Sequence, residues 1–232
     1  MENVLIIGAS SSIGKEISSV FRDASMRVIT TYSSNPLGDE QDPADAVQLD
    51  LSINESIETF TENLRNKVKK VDIAIFLSAV LPGKQLAQYK FSEIDNVMAV
   101  NFTGQVKLIQ GIFPLLNSRS RLLLFSSISA QRGSFDPVYA ASKGALLSVV
   151  KSLISELPRG ARINAIAPGL IQGSAMFNGM SPERQEHHRN QIPSRHLLHP
   201  KDLAKIVFDL CQDHWKHLNG SCVDLNGGQY VR

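Results

Sequence analysis

Residues 4–14 read VLIIGASSSIG, and they indicate the fold more clearly than any other part of the chain. The first four residues are apolar, which is typical of a strand buried on both faces of a parallel sheet. A turn of small residues follows, and the apolar spacing from Lys15 to Phe21 favours a helix. Free N–H groups and the helix dipole at such a helix start attract an anion, and glycine lets the backbone approach it closely. Turns of this kind are common, so the stretch alone does not identify a ligand.

The alternation of apolar runs and helix-like segments continues along the whole chain. The other predicted strands cover 27–32, 46–49, 71–77, 121–125, 162–167 and 221–225, and predicted helices lie near 53–66, 92–117, 138–157 and 201–212. Such βα units predict an α/β fold, a Rossmann-type doubly wound parallel sheet of about seven strands with helices on both faces. Nothing divides the chain convincingly, so we expect residues 1–232 to form a single domain. Gly8, Ser78, Ser127 and Pro168 follow strands and are expected at one sheet edge, where such folds bind ligands.

The composition of the 232-residue chain argues against several classes of protein. A net charge of +2, without basic runs, predicts no nucleic-acid partner. No apolar stretch reaches membrane-spanning length, and the first strand begins too early for a signal peptide, so we expect no membrane partner. The two cysteines, Cys211 and Cys222, are typical of reduced thiols and favour a cytoplasmic protein.

Residues 139–143, YAASK, indicate a chemistry. Tyr139 and Lys143 are four residues apart and share one helix face. A nearby positive charge lowers the pKa of a phenol toward the range of a general acid or base. A hydroxyl from Ser126 or Ser127 can hold a carbonyl oxygen while Tyr139 gives or takes its proton. The pattern therefore favours interconversion of a carbonyl and an alcohol, which also needs a hydride carrier; a half-buried tyrosine and a solvated lysine are the alternative interpretation.

These motifs together resemble the classical short-chain dehydrogenase/reductase family, from Val4 to the Asn-Gly-Gly of residues 226–228. The resemblance implies an NAD(P)-dependent enzyme with a catalytic set of Asn101, Ser127, Tyr139 and Lys143. Tyr139 transfers the proton, and Lys143 lowers its pKa and holds the nicotinamide ribose. Ser127 polarises the substrate oxygen, and Asn101 positions a water chain to the lysine.

The resemblance also implies a dinucleotide site, and no metal site is expected. The implied cofactor-binding residues are Gly8, Ser10, Ser11, Ser12, Ile13 and Gly14 in the turn, Tyr32, Ser33 and Ser34 after the second strand, Asp50 and Leu51 beside the adenine, Ser78 and Ala79, Tyr139 and Lys143, and Pro168, Gly169 and Ile171 near the nicotinamide.

Several positions depart from the family pattern. Ile7 replaces a threonine, and Ser12 replaces a glycine where the backbone nears the pyrophosphate. Val80 also replaces a glycine, and a β-branched residue disfavours unusual backbone angles. Gly173 stands in place of a threonine, whose hydroxyl Ser174 is a candidate to supply. These departures concern cofactor affinity more than chemistry, and they favour the alternative of a catalytically weak dinucleotide-binding regulator.

Cofactor preference depends on the end of the second strand. NAD-selective sites place a carboxylate there to bind the ribose 2′-hydroxyl. Residues 32–35 read YSSN, and no acid follows before Asp39. Hydroxyl and amide groups, with Lys15 or Arg22 nearby, favour the 2′-phosphate of NADP, and NAD remains the alternative.

The choice of catalytic serine also leaves an alternative. Tyr139 lies twelve residues after Ser127 and thirteen after Ser126, and the family spacing is usually the longer one. Ser127 is preferred because it matches the second serine of the family's I-S-S pattern and because Gly133 keeps its usual offset. Ser126 would otherwise be a strand-end residue that bonds to a neighbouring main chain.

Residues 171–199 are expected to cover a small-molecule substrate. Met176, Phe177 and Met180 give this segment an adaptable apolar surface. The run around His187 and His188 is better interpreted as a solvated helix face than as a binding site for an acidic substrate.

Residues 166–169, 200–204 and the terminal Asn-Gly-Gly are most similar to the 3-oxoacyl-carrier-protein reductase branch. This similarity predicts hydride transfer between NADP(H) and a carbonyl or secondary alcohol. A sugar or other polar secondary-alcohol dehydrogenase is the alternative enzyme. Family members commonly pair the helices near 92–117 and 138–157 across subunits, so a homodimer or homotetramer is expected.

Overall fold

A parallel sheet is the centre of the computed structural model, which describes residues 1–34 and 45–231. Within these residues the sheet has seven strands in the order β3-β2-β1-β4-β5-β6-β7. The strands are β1 Asn3–Ile7, β2 Arg27–Tyr32, β3 Ala46–Gln48, β4 Ile73–Phe76, β5 Arg121–Phe125, β6 Arg162–Pro168 and β7 Cys222–Leu225. The strand order reverses between β1 and β4, and such a reversal opens a crevice for ligands at the carboxyl ends of the strands.

Helices connect the strands and cover both faces of the sheet. They are α1 Ser12–Asp23, α2 Asn54–Lys67, α3 Phe91–Met98, α4 Gly104–Ile112, α5 Ser129–Arg132, α6 Pro137–Leu153, α7 Ala175–Asn178, α8 Pro182–Asn190 and α9 Pro200–Leu210. A π-helical turn, Ala99–Thr103, joins α3 to α4. The predicted Rossmann-type fold is thereby confirmed.

Successive side chains along each strand point to opposite faces of the sheet, so the core consists of two layers. Leu5 and Ile7 of β1 pack with α2, α4 and α6 on one face. Val4 and Ile6 pack with α1 and α9 on the other. All four side chains are fully buried, which explains the uninterrupted apolar run that opens the chain.

Two predicted helices end earlier than the apolar pattern suggested. The helix expected over 92–117 contains the π turn, and α4 ends at Ile112 before a 3-10 turn that includes Pro114. The helix expected over 138–157 ends at Leu153. The π turn contains the candidate residue Asn101, whereas Tyr139 and Lys143 remain in α6 as expected.

No helix within 1–34 and 45–231 is both long and apolar enough to cross a membrane. The same residues contain no cluster of three or more His, Cys, Asp or Glu side chains that could hold a metal ion.

Candidate functional site

The turn after β1 is shaped by two glycines that have no room for a side chain. Gly8 has a φ of +83°, and a Cβ there would lie 2.5 Å from Ser78 Oγ. A Cβ on Gly14 would lie 2.5 Å from the Cα of Ala9. Thr31 fixes the turn from β2, because its Oγ1 accepts a hydrogen bond from the Gly8 N–H at 3.1 Å. The close approach of turn, helix start and neighbouring strand therefore depends on glycine.

The start of α1 suits a phosphate group. Ser11 caps the helix, its Oγ accepting from the Gly14 N–H at 3.0 Å, and the first turn carries no acidic residue. Ser10 and Ile13 are half-buried, and Ser11 and Ser12 are exposed. The turn thus presents backbone N–H groups and hydroxyls at the positive end of a helix dipole, the donor set that a pyrophosphate requires. The residues present fit a dinucleotide.

Two of the departures from the family pattern lie in contact with each other. The Ser12 Oγ donates to the Gly173 carbonyl oxygen at 3.4 Å, so the phosphate turn reaches the segment expected to cover the substrate. Ser174 is already engaged as the N-cap of α7, where its Oγ accepts from the Phe177 N–H.

The third departure, Val80, causes no backbone strain. Among the described residues the only non-glycine residues with positive φ are Ser25 and Arg195, so the backbone at Val80 has no angle that requires a glycine. The side chain of Asn101 instead pairs with this backbone. Its Oδ1 accepts from the Val80 N–H at 2.7 Å, and its Nδ2 donates to the Val80 carbonyl at 2.9 Å.

Asn101 is fully buried in the π turn between α3 and α4. Its Nδ2 also donates to the Ser142 Oγ on α6 at 3.0 Å. The side chain therefore connects the loop after β4 to the helix that carries Tyr139 and Lys143. Helical π turns occur frequently at functional sites.

Lys143 is a buried lysine on α6, only 1% exposed. Its Nζ donates to the Phe125 carbonyl at the end of β5, at 2.7 Å. Burial lowers the pKa of Lys143 to about 7. The Lys143 side chain can therefore exchange a proton, between its ammonium and neutral amine forms, near neutral pH.

The phenol of Tyr139 is also buried, and its pKa differs from the expectation. Burial raises the pKa of Tyr139 above its usual value, a hydrogen bond with Ser127 opposes this, and the charge of Asp136 adds to the increase. The expectation that Lys143 lowers this pKa was wrong, because the direction is upward and Lys143 is directed at the Phe125 carbonyl. A raised pKa keeps the phenol protonated at neutral pH.

The two candidate serines have different surroundings. The Ser126 Oγ donates to the main-chain carbonyl of Lys143 at 2.9 Å and ties the end of β5 to α6. The Ser127 Oγ accepts from the Ser129 N–H at 3.1 Å, and the Ser127 hydroxyl is close enough to the Tyr139 phenol to lower its pKa. The structure therefore brings Ser127, and not Ser126, together with Tyr139.

The other predicted cofactor contacts lie along the same edge of the sheet. Tyr32 is half-buried at the end of β2, with Ser33 and Ser34 exposed after it, while Asn35 and Asp39 lie outside the described residues. The Asp50 carboxylate accepts from the N–H and hydroxyl of Ser52.

Leu51 is buried against Gly104, where a side chain on the glycine would collide with the Leu51 carbonyl. Ala79 is exposed beside Ser78, whose carbonyl accepts from Gln105. Pro168 ends β6, and the Gly169 N–H donates to the Leu225 carbonyl of β7.

The two ends of the segment 171–199 lie next to each other, because Ile171 forms a parallel bridge with Leu198. Between them lie α7 and α8. Met176 is exposed and Phe177 is buried, whereas α8 contains no buried residue, in line with a solvated helix. The Arg184 guanidinium on α8 lies 5.7 Å above the ring of Phe135, next to the start of α6.

Three buried polar residues of the site were missed by sequence reasoning: Gln105, Asp136 and Ser142. Gln105 holds Ser78, and Ser142 holds Asn101. Asp136 caps α6, and the pair Asp136-Pro137 is a signal for a helix start that identifies this residue from sequence. No sequence signal of that kind exists for Gln105 or Ser142.

Comparisons with known proteins agree with this architecture. A family model described as "Enoyl-(Acyl carrier protein) reductase" matches residues 8–229. The 3-oxoacyl-[acyl-carrier-protein] reductase FabG of Aquifex aeolicus (strain VF5) is 28% identical over 242 residues, covering 97% of this chain and 96% of that protein. The uncharacterized oxidoreductase YmfI of Bacillus subtilis (strain 168) is 26% identical over 241 residues, covering 98% of each.

Solved structures share the fold. A short-chain dehydrogenase/reductase described as glucose/ribitol dehydrogenase, from Brucella melitensis, superposes with a TM-score of 0.90 at 22% identity, covering 100% of this chain and 97% of the other. A short-chain dehydrogenase/reductase from Serratia marcescens BCRC 10948 gives 0.89 at 20% identity, covering 99% and 98%. The chain therefore belongs to the short-chain dehydrogenase/reductase family, as an NAD(P)-dependent oxidoreductase that resembles the FabG branch.

Proposed function

We propose that the protein reduces a carbonyl of a 3-oxoacyl-type substrate with NADPH, using Asn101, Ser127, Tyr139 and Lys143. The observation that carries this proposal is the placement of buried Tyr139 and Lys143 on α6, with Ser127 just after β5, at the same sheet edge as the glycine turn. The residues of the turn and of the other strand ends listed above would hold the dinucleotide.

The protein groups have complementary tasks in reduction. Tyr139, whose raised pKa keeps it protonated, donates its proton to the carbonyl oxygen as the oxygen gains charge. The Ser127 hydroxyl donates a hydrogen bond to the same oxygen and stabilises that charge. The bound nicotinamide supplies the hydride. Lys143, with a pKa of about 7, holds a proton close to the site.

The Asn101 side chain binds neighbouring protein groups. Both hydrogens of its amide are used, one by Val80 and one by Ser142. We therefore assign it the positioning of the loop after β4, in addition to the water chain that the family resemblance implies.

The apolar residues near the site favour an acyl substrate over a polar one. Met176 and Phe135 are 41% and 52% exposed, and Phe177 is buried. Met176 and Phe177 belong to the segment 171–199, which we propose covers the substrate. The curated relatives named FabG point the same way. A sugar or polar-alcohol dehydrogenase remains the competing enzyme, and preferential turnover of polar ketones would establish it.

The preference for NADP rests on the end of β2. Tyr32, Ser33 and Ser34 bring hydroxyl groups and no carboxylate to the position where the ribose 2′-substituent is expected. Lys15 is exposed in the first turn of α1 and is a candidate partner for a 2′-phosphate. We also propose that each subunit is a single domain and that two or four subunits form a homodimer or homotetramer. The proposed location of the protein is the cytoplasm.

Parallel titrations with NADPH and NADH, followed by nicotinamide fluorescence, test the dinucleotide site. We expect tighter binding of NADPH, and at least ten-fold weaker binding of both by Gly8→Ala, because its Cβ meets Ser78 in the phosphate turn.

Gly160→Ala is the matched control for that titration. Gly160 also has a positive φ, +94°, and its Cβ would lie 2.7 Å from the Ser118 carbonyl before β5, at the opposite edge of the sheet. Both variants should lose stability through backbone strain, but Gly160→Ala should bind dinucleotide normally. Binding of NADH alone would overturn the NADP preference, and binding of neither would show that the altered glycine turn does not hold a dinucleotide.

Replacing the two serines separately tests their different contacts. Ser127→Ala should lower kcat/KM for ketone reduction by about 10²-fold, since it removes a donor to the developing oxyanion. Ser126→Ala should leave catalysis within a few-fold and lower the free energy of unfolding by about 1 kcal/mol, through the lost bond to the Lys143 carbonyl. The reverse pattern in steady-state kinetics would make Ser126 the catalytic serine.

A further inference from the structure

A buried carboxylate that the proposed chemistry does not use lies at the start of α6. Asp136 has no exposed surface. Its Oδ1 accepts from the Tyr139 N–H at 3.0 Å, and its Oδ2 accepts from the N–H groups of Gly83 at 2.9 Å and Lys84 at 3.3 Å. The Tyr89 hydroxyl donates to both oxygens, at 2.8 and 2.9 Å. Every partner is a donor, as an ionised carboxylate requires.

These bonds join two parts of the chain that are far apart in sequence. One is the helix α6, which Asp136 caps three residues before Tyr139. The other is the loop between β4 and α3, here called the β4–α3 loop, residues 77–90. This loop starts beside Gly8 and is held by Gln105 and Asn101 in its first part. Asp136 holds its second part.

We propose that Asp136 is a positioning residue, which fixes the start of α6, and with it the Tyr139 phenol, against the β4–α3 loop at the border of the substrate site. Burying a carboxylate is unfavourable unless hydrogen bonds compensate for the lost water. The loop and the helix must therefore both contact the Asp136 carboxylate to supply these hydrogen bonds. If capping α6 were its only role, a neutral capping residue would be sufficient. The inference rests on the proposed role of Tyr139.

Asp136 also contributes charge to the site. Its charge raises the pKa of Tyr139, as burial does. The elements packed against α6 are α3, α5, the π turn, β5 and β6. The titratable or charged groups on α3, α5 and the π turn, on α6 itself and in the loop are, besides Asp136 and Tyr139, Lys84, Tyr89, Lys90, Glu93, Asp95, Arg132, Lys143 and Lys151. Lys84 pairs with Glu93 at 2.6 Å, and Arg121 and Arg162 lie at the far ends of β5 and β6.

The test compares Asp136→Asn with Tyr89→Phe in the full-length enzyme. Asparagine keeps the helix cap but has one acceptor oxygen and no charge. Tyr89→Phe loosens the same loop but keeps the charge. We expect both variants to raise KM for the ketone several-fold. In Asp136→Asn alone, the limb of the pH–rate profile set by Tyr139 should move to lower pH, by about half a unit or more.

The outcomes distinguish a positioning role of Asp136 from a purely structural one. A purely structural role predicts lower activity with an unmoved pH limb, or equal shifts in both variants, and either result would overturn the inference. Unchanged KM in both variants would also overturn it. If Tyr139→Phe retains full activity, the proposed function itself fails, and that result is distinguishable because it does not involve Asp136.

Discussion

Tyr139→Phe should lower kcat for ketone reduction by about 10³-fold while leaving dinucleotide binding within a few-fold of wild type. Phenylalanine keeps the ring in its buried position on α6 but removes the only group of the proposed catalytic set that is buried, protonated at neutral pH and bonded to Ser127. A residual rate from Ser127 and from substrate positioning should remain. The measurement is steady-state turnover together with a dinucleotide titration.

Tyr230→Phe is the control for this substitution, because it removes a phenol from a residue outside the proposed catalytic and cofactor-binding sets. It should leave kcat unchanged. If Tyr139→Phe kept more than about a tenth of wild-type kcat, proton transfer by Tyr139 would be excluded, since a positioned general acid contributes at least 10²-fold.

Lys143→Met should reduce turnover by about 10²-fold and, at the same time, make the protein more stable at low pH. The pKa of Lys143 is lowered from 10.5 to about 7 by burial, so the folded state disfavours the charged lysine. Below about pH 7 both folded and unfolded lysines are charged, and the folded state bears the full penalty of burial. Methionine removes the charge while it keeps much of the volume.

The sign of the pH dependence follows from proton binding. Between about pH 7 and 10.5 the unfolded lysine keeps its proton while the folded lysine loses it, so wild-type stability rises with pH in this window. Lys143→Met lacks this slope. Its advantage in unfolding free energy should be on the order of 2 kcal/mol near pH 6, after allowance for the lost bond to Phe125, and should vanish toward pH 10.

Lys151→Met, on the same helix but exposed, provides the comparison for the stability experiment. Its unfolding free energy should follow that of wild type at every pH. Denaturant unfolding at several pH values measures all three proteins. A Lys143→Met variant that tracks wild type across the window would contradict a lowered lysine pKa.

The sheet could be predicted because its strands carry their own signal. Val4 to Ile7 and Leu122 to Phe125 are buried, and uninterrupted apolar runs of this kind suit strands covered on both faces. The glycine turn could also be predicted from sequence, since Gly8 and Gly14 have no space for a side chain. At these positions the structure is determined by the residue itself and its immediate neighbours, so the local sequence is enough to predict it.

Other parts of the site depend on contacts that no local pattern encodes. The π turn that carries Asn101 interrupts a segment whose apolar spacing is continuous. Asn101 pairs with Val80 across 21 residues, and Asp136 pairs with Gly83 across 53. The pKa of Tyr139 was predicted in the wrong direction because helical spacing locates Lys143 but does not reveal burial or the Phe125 carbonyl.

The most direct test of the central proposal follows NADPH and a 3-oxoacyl thioester in one reaction. Loss of nicotinamide absorbance and formation of the 3-hydroxyacyl product are measured together. We expect one NADPH consumed for each hydroxyacyl product formed, with turnover of NADPH faster than that of NADH. Tight NADPH binding without consumption of any ketone, acyl or polar, would contradict the account and identify the chain as a dinucleotide-binding protein without reductase activity.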